Sequence, residues 1–381
     1  MSSKMSSKRS SERFVPHIIS WNMTFRCNLR CAHCYIDAAQ STHESKVAPA
    51  VGRELSTEEG INLVDQIADV SLPILVLSGG EPLLREDVYH IASYAHEKGL
   101  TVVMGTNGTL ITDEVARNLR ECGVKRVAIS IDSVEAAKHD AFRGVKGAWK
   151  SAVSGIDACI RKDVEVQINT TVTQQNYDEI ERILDFAVER GACAFHLFFL
   201  VPTGRGKSVE DITAEMYEQM LNDVLEWSRS SPIEFRPICA PQFMRIAAQK
   251  GIRNEKWKKG CIAGITYCRI YPSGEVTPCP YLPIDVGNIR EKHFRDIWFQ
   301  SDVLNALRNP DNLKGKCGVC EYRRICGGCR ARAYGITSFV DFCGGLQAPS
   351  SLSGDFLAEE PWCPYQPIAD QPAHGAHGKD R

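Results

Sequence analysis

Short apolar runs alternate with amphipathic segments from residue 17 to residue 200 of the chain. The runs are rich in Val, Ile, Leu and Phe and nearly continuous, as in parallel strands that are buried on both faces of a sheet. They occupy residues 17–23, 73–78, 101–106, 125–131, 164–172 and 193–200. Longer segments separate them, so the pattern predicts an α/β fold with six strand–helix periods.

Helix signals lie between these runs. Ser56 and Glu59 form a capping box ahead of an apolar stripe, and Gly99, Gly123 and Gly191 follow segments that are typical of helix ends. Because right-handed strand–helix–strand units wind in one direction, six of them predict a barrel. Six are too few to close an eight-stranded barrel. We therefore expect a partial, open (β/α)6 TIM-like barrel with its active face at the C-terminal ends of the strands.

The pattern changes near residue 258. Residues 233–239 can form one more strand, and residues 240–259 are typical of a helical linker. Beyond them periodic runs are few and Cys, Gly and Pro are frequent, as in a segment held together by metal ligation. The predicted units are a disordered start at 1–14, the barrel at 15–230, a linker at 231–258, a cysteine-rich domain at 259–366 and a disordered tail at 367–381.

Composition narrows the class of protein. The chain has 381 residues, of which 43% are hydrophobic and 24% charged, as in soluble globular proteins. Its 45 basic and 47 acidic residues give a net charge of −2, which provides no excess for binding nucleic acid or membrane surfaces. No apolar run is long enough for a membrane span, and the polar N-terminus does not resemble a secretory signal. We expect a cytoplasmic protein without a nucleic-acid partner.

The chain has 16 cysteines, and their placement is uneven. Three lie between Cys27 and Cys34 and nine between Cys261 and Cys363. In a reducing compartment, such clusters indicate metal binding or catalysis rather than disulfides. The scattered remainder are expected to be small buried side chains: Cys122, Cys159, Cys193 and Cys239.

The first cluster directly follows the first predicted strand. Cys27, Cys31 and Cys34 are spaced C-x3-C-x2-C. A structural zinc site takes four protein ligands, and a [4Fe–4S] cluster usually takes four cysteines. Three thiolates would leave one iron with an open coordination position. A zinc site with a fourth ligand elsewhere, such as His33, is the alternative.

This triplet resembles the signature of the radical S-adenosylmethionine (SAM) enzymes. The resemblance implies a catalytic [4Fe–4S] cluster on Cys27, Cys31 and Cys34, whose open iron binds SAM. In that family the reduced cluster cleaves SAM to methionine and a 5′-deoxyadenosyl radical, which abstracts a hydrogen atom. His33 stands where the family usually has an aromatic residue.

Further segments resemble the elements that hold SAM in this family. Gly79, Gly80 and Glu81 follow the second strand, where two glycines allow a close approach of the backbone to a ligand. The resemblance implies that Glu81 accepts the SAM ammonium group and that Leu200, with Val201, lies beside the adenine. It implies other SAM contacts from Asn107, Ser130, Asp132, Arg143 and Asn169. The alternative for the polar residues is that they cap the strand ends. The alternative for Arg143 is an ordinary surface position.

The C-terminal cysteines resemble the SPASM extension of radical SAM enzymes, which carries one or two auxiliary [4Fe–4S] clusters. Family pairing implies one cluster on Cys261, Cys268, Cys279 and Cys329, and another on Cys317, Cys320, Cys326 and Cys363. Cys343, in an apparent insertion, competes with Cys363 for the last position. The final C-x2-C gap is one residue shorter than in the family. A zinc knuckle formed by Cys317, Cys320, Cys326 and Cys329 is the alternative.

Five stretches resemble a SPASM subgroup that acts on tetrapyrroles: residues 19–24, 196–206, 267–270, 278–281 and 358–363. The resemblance implies oxidative decarboxylation of Fe-coproporphyrin III to haem b, or deacetylation of 12,18-didecarboxysirohaem, with a small electron donor such as ferredoxin or flavodoxin. Arg205, Arg236 and Arg269 are candidates for binding tetrapyrrole carboxylates. The alternatives are a SPASM maturase of ribosomal peptides and a non-catalytic iron–sulfur or zinc electron carrier.

Overall fold

A computed structural model describes residues 14–36, 38–40, 53–252, 259–343 and 354–368. Most of the two predicted disordered ends lies outside the described residues. The strands are β1 Ile18–Asn22, β2 Arg26–Cys27, β3 Ala39–Gln40, β4 Ile74–Ser78, β5 Thr101–Thr106, β6 Arg126–Ser130, β7 Glu165–Val172, β8 Ala194–Phe199, β9 Glu234–Ile238, β10 Tyr267–Ile270 and β11 Val276–Thr277.

The helices follow the strands as the sequence predicts. They are α1 Thr57–Ala68, α2 Val88–Glu97, α3 Asp113–Glu121, α4 Ala136–Arg143, α5 Ala148–Arg161, α6 Ile180–Glu189, α7 Ala214–Ser230, α8 Gln242–Gln249, α9 Phe294–Gln300, α10 Asp302–Arg308, α11 Gly315–Val319 and α12 Arg330–Cys343. The capping box of Ser56 and Glu59 begins α1. Among the residues described, no helix is both long and apolar enough to span a bilayer.

The strands form a nine-stranded sheet in the order β11-β10-β1-β4-β5-β6-β7-β8-β9. All neighbours from β10 to β9 run parallel, and β11 pairs antiparallel with β10. The two end strands of this order are not paired with each other. The barrel is therefore open, and the predicted partial α/β barrel is confirmed.

Three strands outside the predicted barrel, β9, β10 and β11, extend its sheet. β9 lies in the segment predicted as a linker and pairs with β8, while β10 belongs to the cysteine-rich segment and pairs with β1. The added strands satisfy backbone groups that would otherwise stay exposed at the sheet edges. The cysteine-rich segment thus continues the barrel sheet at the β1 edge.

The two faces of the sheet differ in polarity. The helix-covered face carries fully buried apolar side chains such as Ile19, Trp21 and Ile168, which share one core with the helices. Because successive strand residues point to opposite faces, their neighbours line the other face. That face carries the polar residues Ser20, Asn22, Ser130, Gln167, Asn169, His196, Arg236 and Arg269. The candidate site lies at the C-terminal end of this polar face.

Candidate functional site

The three-cysteine loop leaves the sheet directly after β1. Its backbone docks on the end of α4, since the Arg30 and Ala32 amides donate to the carbonyls of Arg143 and Phe142 at 3.1 and 2.9 Å. The short pairing of β2 with β3 closes the loop on its other side. Protein contacts alone thus fix the loop at both ends.

The thiols of this loop fit a cluster-binding role. Burial raises the pKa of Cys27 to about 12, and Cys31 and Cys34 raise it further by their charges. The Leu29 amide donates to the Cys27 sulfur at 3.4 Å, and the Ala38 amide donates to the Cys34 sulfur at 3.4 Å. Such N–H donors stabilise the thiolate form that iron binds. Three neighbouring thiols, of which Cys27 is buried and the other two are half-buried, match a [4Fe–4S] cluster with one open iron.

Within the described part of the chain, no three Cys, His, Asp or Glu side chains come close enough to hold a single metal ion. His33 does not complete a ligand set with the three cysteines. Its ring stacks on Phe142 at 4.3 Å, burial lowers its pKa to about 3, and its Nδ1 lacks a partner among the described residues.

Gly79 and Gly80 are required by the packing of this loop. A Cβ at Gly80 would lie 2.1 Å from the Arg26 carbonyl oxygen, and one at Gly79 would lie 2.7 Å from the Thr24 carbonyl oxygen. The Gly80 and Glu81 amides donate to the same two strand-end carbonyls, of Thr24 and Arg26, at 2.7 and 2.8 Å. The glycines therefore permit a close approach to the backbone of the cysteine loop, where the sequence predicted an approach to a ligand.

Glu81 is fully buried and takes part in bracing the loop. Its carboxylate accepts hydrogen bonds from the Thr106 hydroxyl at 2.7 Å and the Asn107 amide at 2.9 Å. Burial raises its pKa to about 7, although these donors oppose the shift. The Asn107 side chain in turn donates to Asn28, next to Cys27, at 2.8 Å. The Glu81 carboxylate thus has protein donors, and its role as the ammonium acceptor stays a prediction.

Asp132 and Arg143 form a buried ion pair behind Cys31. The Arg143 Nη2 lies 2.5 Å from the Asp132 carboxylate, and its Nη1 lies 3.6 Å from the Cys31 sulfur. Burial raises the pKa of Cys31, and the Arg143 charge opposes that rise. Arg143 thus supports the thiolate of Cys31, and Asp132 neutralises the arginine. The contacts of both side chains with SAM stay predictions.

Ser130 and Asn169 remain candidates for SAM contacts. They are register neighbours on β6 and β7 and lie on the polar face of the sheet. The Asn169 oxygen accepts from Gln167 at 2.7 Å, while the Ser130 hydroxyl has no hydrogen-bond partner among the described residues. Leu200 is buried, and its carbonyl accepts from Arg332 at 3.3 Å. Its predicted position beside an adenine stays a prediction.

Four C-terminal cysteines surround one cavity as the family pairing implied. Its wall includes Cys317, Cys320, Cys326 and Cys363 together with the cationic residues Arg245, Lys316 and Arg323. Thiolates and cations around one cavity fit an anionic iron–sulfur cluster. Cys343 lies at the end of α12, and its side chain is outside the described residues.

The other implied set was Cys261, Cys268, Cys279 and Cys329. In the structure, Cys239 takes the place of Cys268 beside the other three. Burial raises the pKa of Cys239 well above its usual value, and Cys329, Cys279 and Cys261 contribute to that rise. Cys239, Cys279 and Cys329 also pack in one cluster of side chains. Cys268 lies on β10 with its side chain in the barrel core, and its pKa is affected by burial and then by Arg308, not by another cysteine.

The placement of Cys268 corrects the implied ligand set. Arg269 lies on the polar face of β10, so the residue before it must point to the apolar face. Cys239, which the sequence analysis treated as a scattered buried cysteine, has a φ of +61°, a left-handed value that is uncommon for residues other than glycine. Strained backbone of this kind occurs where the surroundings fix a functional residue. We infer that Cys239, Cys261, Cys279 and Cys329 hold the first auxiliary cluster.

A buried ion pair connects the two cysteine sets. The Glu360 carboxylate accepts from the Cys329 amide at 2.5 Å and from Arg332 at 3.0 Å. The Glu360 amide donates to the Cys317 sulfur at 3.4 Å, and Arg332 donates to the Cys239 carbonyl at 2.8 Å. One charge pair thus fixes ligands of both sets.

The remaining candidate arginines have different surroundings. Arg205 donates to the carbonyls of Cys31 and Ala38 at 2.9 and 3.3 Å, so it braces the cysteine loop. Arg236 pairs with Glu234 at 2.5 Å on the polar face. Arg269 is fully buried there with no such partner among the described residues.

Comparisons with known proteins match two parts of the chain. The radical SAM superfamily matches residues 21–187, which contain the three-cysteine loop. An iron–sulfur cluster-binding domain, SPASM, matches residues 261–329.

Two relatives extend the similarity to nearly the whole chain. An AdoMet-dependent heme synthase from Methanosarcina barkeri is 42% identical over 93% of this chain and 97% of its own length. A pre-heme d1 synthase from Dinoroseobacter shibae is 32% identical over 91% of this chain and 85% of its own length.

The fold is also similar to a solved structure, that of Streptococcus suis SuiB bound to the precursor peptide SuiA. Its TM-score is 0.70 at 18% identity, covering 87% of this chain and 76% of that chain. At this level of identity the likeness concerns the fold alone.

Proposed function

Since the chain belongs to the radical SAM superfamily and carries a SPASM iron–sulfur domain, we propose that it decarboxylates propionate side chains of a tetrapyrrole. The favoured reaction is the conversion of Fe-coproporphyrin III to haem b. The observation that carries this proposal is the 42% identity to an AdoMet-dependent heme synthase over nearly all of both chains. That similarity spans the barrel and both cysteine-rich regions together.

The proposed reaction follows one propionate at a time. Removal of one hydrogen atom from the carbon attached to the macrocycle, release of CO₂ and removal of one electron leave a vinyl group. When bound at Cys27, Cys31 and Cys34, a reduced [4Fe–4S] cluster with SAM supplies the 5′-deoxyadenosyl radical that takes such a hydrogen atom. The role of the chain's own residues is to hold the reacting groups beside the polar face and to exclude water from them.

The residues around the loop are suited to that role. Arg143 and the Leu29 and Ala38 amides direct positive charge at the three sulfurs, which favours their ligand form. Gly80 and Glu81 fix the loop against the ends of β4 and β5. We propose that Ser130 and Asn169, on the open polar face, contact SAM.

The two C-terminal cysteine sets would hold auxiliary [4Fe–4S] clusters, whose chemistry is electron transfer. Cys239, Cys261, Cys279 and Cys329 form one proposed set, and Cys317, Cys320, Cys326 and Cys363 form the other. The second set lines a cavity with cationic residues around it. We propose a small electron donor such as ferredoxin or flavodoxin and a cytoplasmic location.

Product analysis tests the proposed function. Anaerobically reconstituted protein is incubated with SAM, dithionite and Fe-coproporphyrin III, and the tetrapyrrole is analysed by mass spectrometry. We expect haem b and 5′-deoxyadenosine, with neither formed by Cys31→Ala. A matched Cys122→Ala variant, which alters a cysteine outside all three sets, should retain both products.

Two other substrates distinguish the alternatives. Conversion of 12,18-didecarboxysirohaem with Fe-coproporphyrin III unchanged would reassign the protein to deacetylation. Turnover of a ribosomal peptide with both tetrapyrroles unchanged would support the maturase alternative. Because the likeness to the peptide-bound SuiB structure concerns the fold alone, decarboxylation remains the favoured reaction.

A further inference from the structure

Arg269 lies on the polar face of the barrel sheet at its β1 edge. It is in register with Ser20 on β1, while its neighbour Cys268 pairs with Ile19 and points into the apolar core. The Arg269 side chain is fully buried. A permanent positive charge is therefore enclosed at the centre of the molecule, between β1 and the cysteine-rich segment.

None of the three Arg269 side-chain nitrogens has a hydrogen-bond partner in the part of the chain that the structure describes. The guanidinium instead lies 3.3 Å from the ring centroid of Tyr271 and 5.6 Å from that of Tyr35. Burial of a charge without a counter-charge is strongly unfavourable. Each of the other buried arginines has hydrogen-bond acceptors. Arg85, Arg143, Arg245 and Arg332 pair with carboxylates. Arg308 and Arg330 donate to backbone carbonyls.

A second unpaired donor lies close by on β1. Asn22 is fully buried, and its Nδ2 has no partner among the described residues. It lies two residues beyond Ser20, on the same face and about 7 Å along the strand. Its Oδ1 accepts a long hydrogen bond of 3.3 Å from the Tyr35 hydroxyl. The site thus presents donors from a cation and an amide, with no carboxylate among the described residues beside them.

The position of Tyr35 relates this group to the reaction site. Tyr35 directly follows Cys34, and its ring packs edge-on against Tyr281 at 5.4 Å. Tyr281 in turn follows Cys279 by two residues. A ligand group held by Arg269 would therefore lie between the SAM-binding loop and the first auxiliary cysteine set.

We propose that Arg269 and Asn22 form the subsite that binds a carboxylate of the substrate, a propionate if the proposed tetrapyrrole function is correct. A guanidinium is suited to this because its planar donors match the two oxygens of a carboxylate. The Tyr35 ring covers the guanidinium and is held through its hydroxyl by one long bond. Entry of the carboxylate displaces this ring and supplies the missing counter-charge. This inference rests on the proposed function.

Equilibrium binding of a fluorescent probe, metal-free coproporphyrin III, tests the subsite. The variant is Arg269→Met, which keeps the length of the side chain and removes its charge. We expect its affinity for the porphyrin to fall about tenfold or more, the usual effect of losing hydrogen bonds to a charged group. Because the wild-type charge is unpaired, the free variant should be at least as heat-stable as the wild type. Arg269→Lys should recover part of the affinity.

Arg161→Met is the control. Arg161 ends α5, which lies on the helix-covered face of the sheet, and it forms an exposed ion pair with Asp113. We expect this variant to bind the porphyrin within about twofold of the wild type. The tetramethyl ester of the porphyrin, measured in the same detergent, should bind wild type and Arg269→Met equally, since it has no carboxylates.

Distinct outcomes separate the inference from the function. If the wild type binds neither porphyrin, the tetrapyrrole proposal fails. If the wild type binds the acid and Arg269→Met binds it equally well, the subsite is refuted while the function stands. Two other results for Arg269→Met would also refute the subsite, if its affinity for the porphyrin is unchanged. One is weaker binding of SAM, and the other is a changed reduction potential of an auxiliary cluster.

Discussion

Replacing Cys239 and Cys268 separately is the sharpest test of the cofactor assignment. Family pairing from the sequence implies Cys268 as a ligand, whereas the structure places Cys239 with the other three thiols. Cys268 is fully buried in the barrel core. Cys239→Ala and Cys268→Ala are therefore paired variants with opposite expectations.

The expected magnitudes follow from these surroundings. A full complement of three [4Fe–4S] clusters gives roughly twelve iron atoms per chain. Cys239→Ala should lose at least one and up to about four of them, because three remaining auxiliary thiolates hold at best an incomplete cluster. Cys268→Ala should keep all its iron. Removing its sulfur from a packed core should instead cost about 1–2 kcal/mol of unfolding free energy.

Iron and sulfide are counted after anaerobic reconstitution, and electron paramagnetic resonance of the reduced protein identifies the cluster that changes. The SAM-binding cluster should be unaffected in both variants, so 5′-deoxyadenosine formation without tetrapyrrole serves as the control. Full iron in Cys239→Ala together with iron loss in Cys268→Ala would refute the assignment.

Three further predictions concern the three-cysteine loop. Gly80→Ala should displace the loop backbone and abolish SAM cleavage while auxiliary iron is retained, whereas Gly335→Ala, with open space around it, should have no effect in the same assay. Arg143→Met leaves the buried Asp132 carboxylate unpaired and should cost about 3–5 kcal/mol, seen as a lower thermal midpoint; an unchanged midpoint would contradict the buried pair. The folded-state pKa of Glu81 is about 7 against an ordinary 4.5, so the folded protein binds this proton more tightly than the unfolded chain. Stability should therefore fall as pH rises from 4.5 to 7, by up to about 3 kcal/mol, and Glu81→Gln should lose this part of the unfolding profile.

The sequence predicts the barrel because its signals are local. All six apolar runs contain a strand of the sheet, and the Ser56 capping box begins its helix. β10 is harder to assign to the sheet, because its pairing partner β1 lies near the other end of the chain. Strand pairing over such a separation depends on the tertiary structure, and the local composition predicts it poorly.

The candidate site is predicted less completely than the fold. The three-cysteine spacing is visible in the sequence, but the ion pair of Asp132 with Arg143 and the contacts of Glu81 depend on which strand ends meet. Cys239 lies 22 positions before Cys261, so its spacing gives no sign that it belongs to the C-terminal group of cysteines. One signal could have found it: it directly follows β9, at the C-terminal edge of the sheet where the site forms.

Isotope transfer from the substrate tests the proposed function most directly. Fe-coproporphyrin III carrying deuterium on the propionate carbons attached to the macrocycle is incubated anaerobically with the protein, SAM and reductant. We expect haem b to form, together with one singly deuterated 5′-deoxyadenosine molecule for each propionate converted. Formation of 5′-deoxyadenosine without deuterium, with the tetrapyrrole unchanged, would contradict hydrogen abstraction from this substrate.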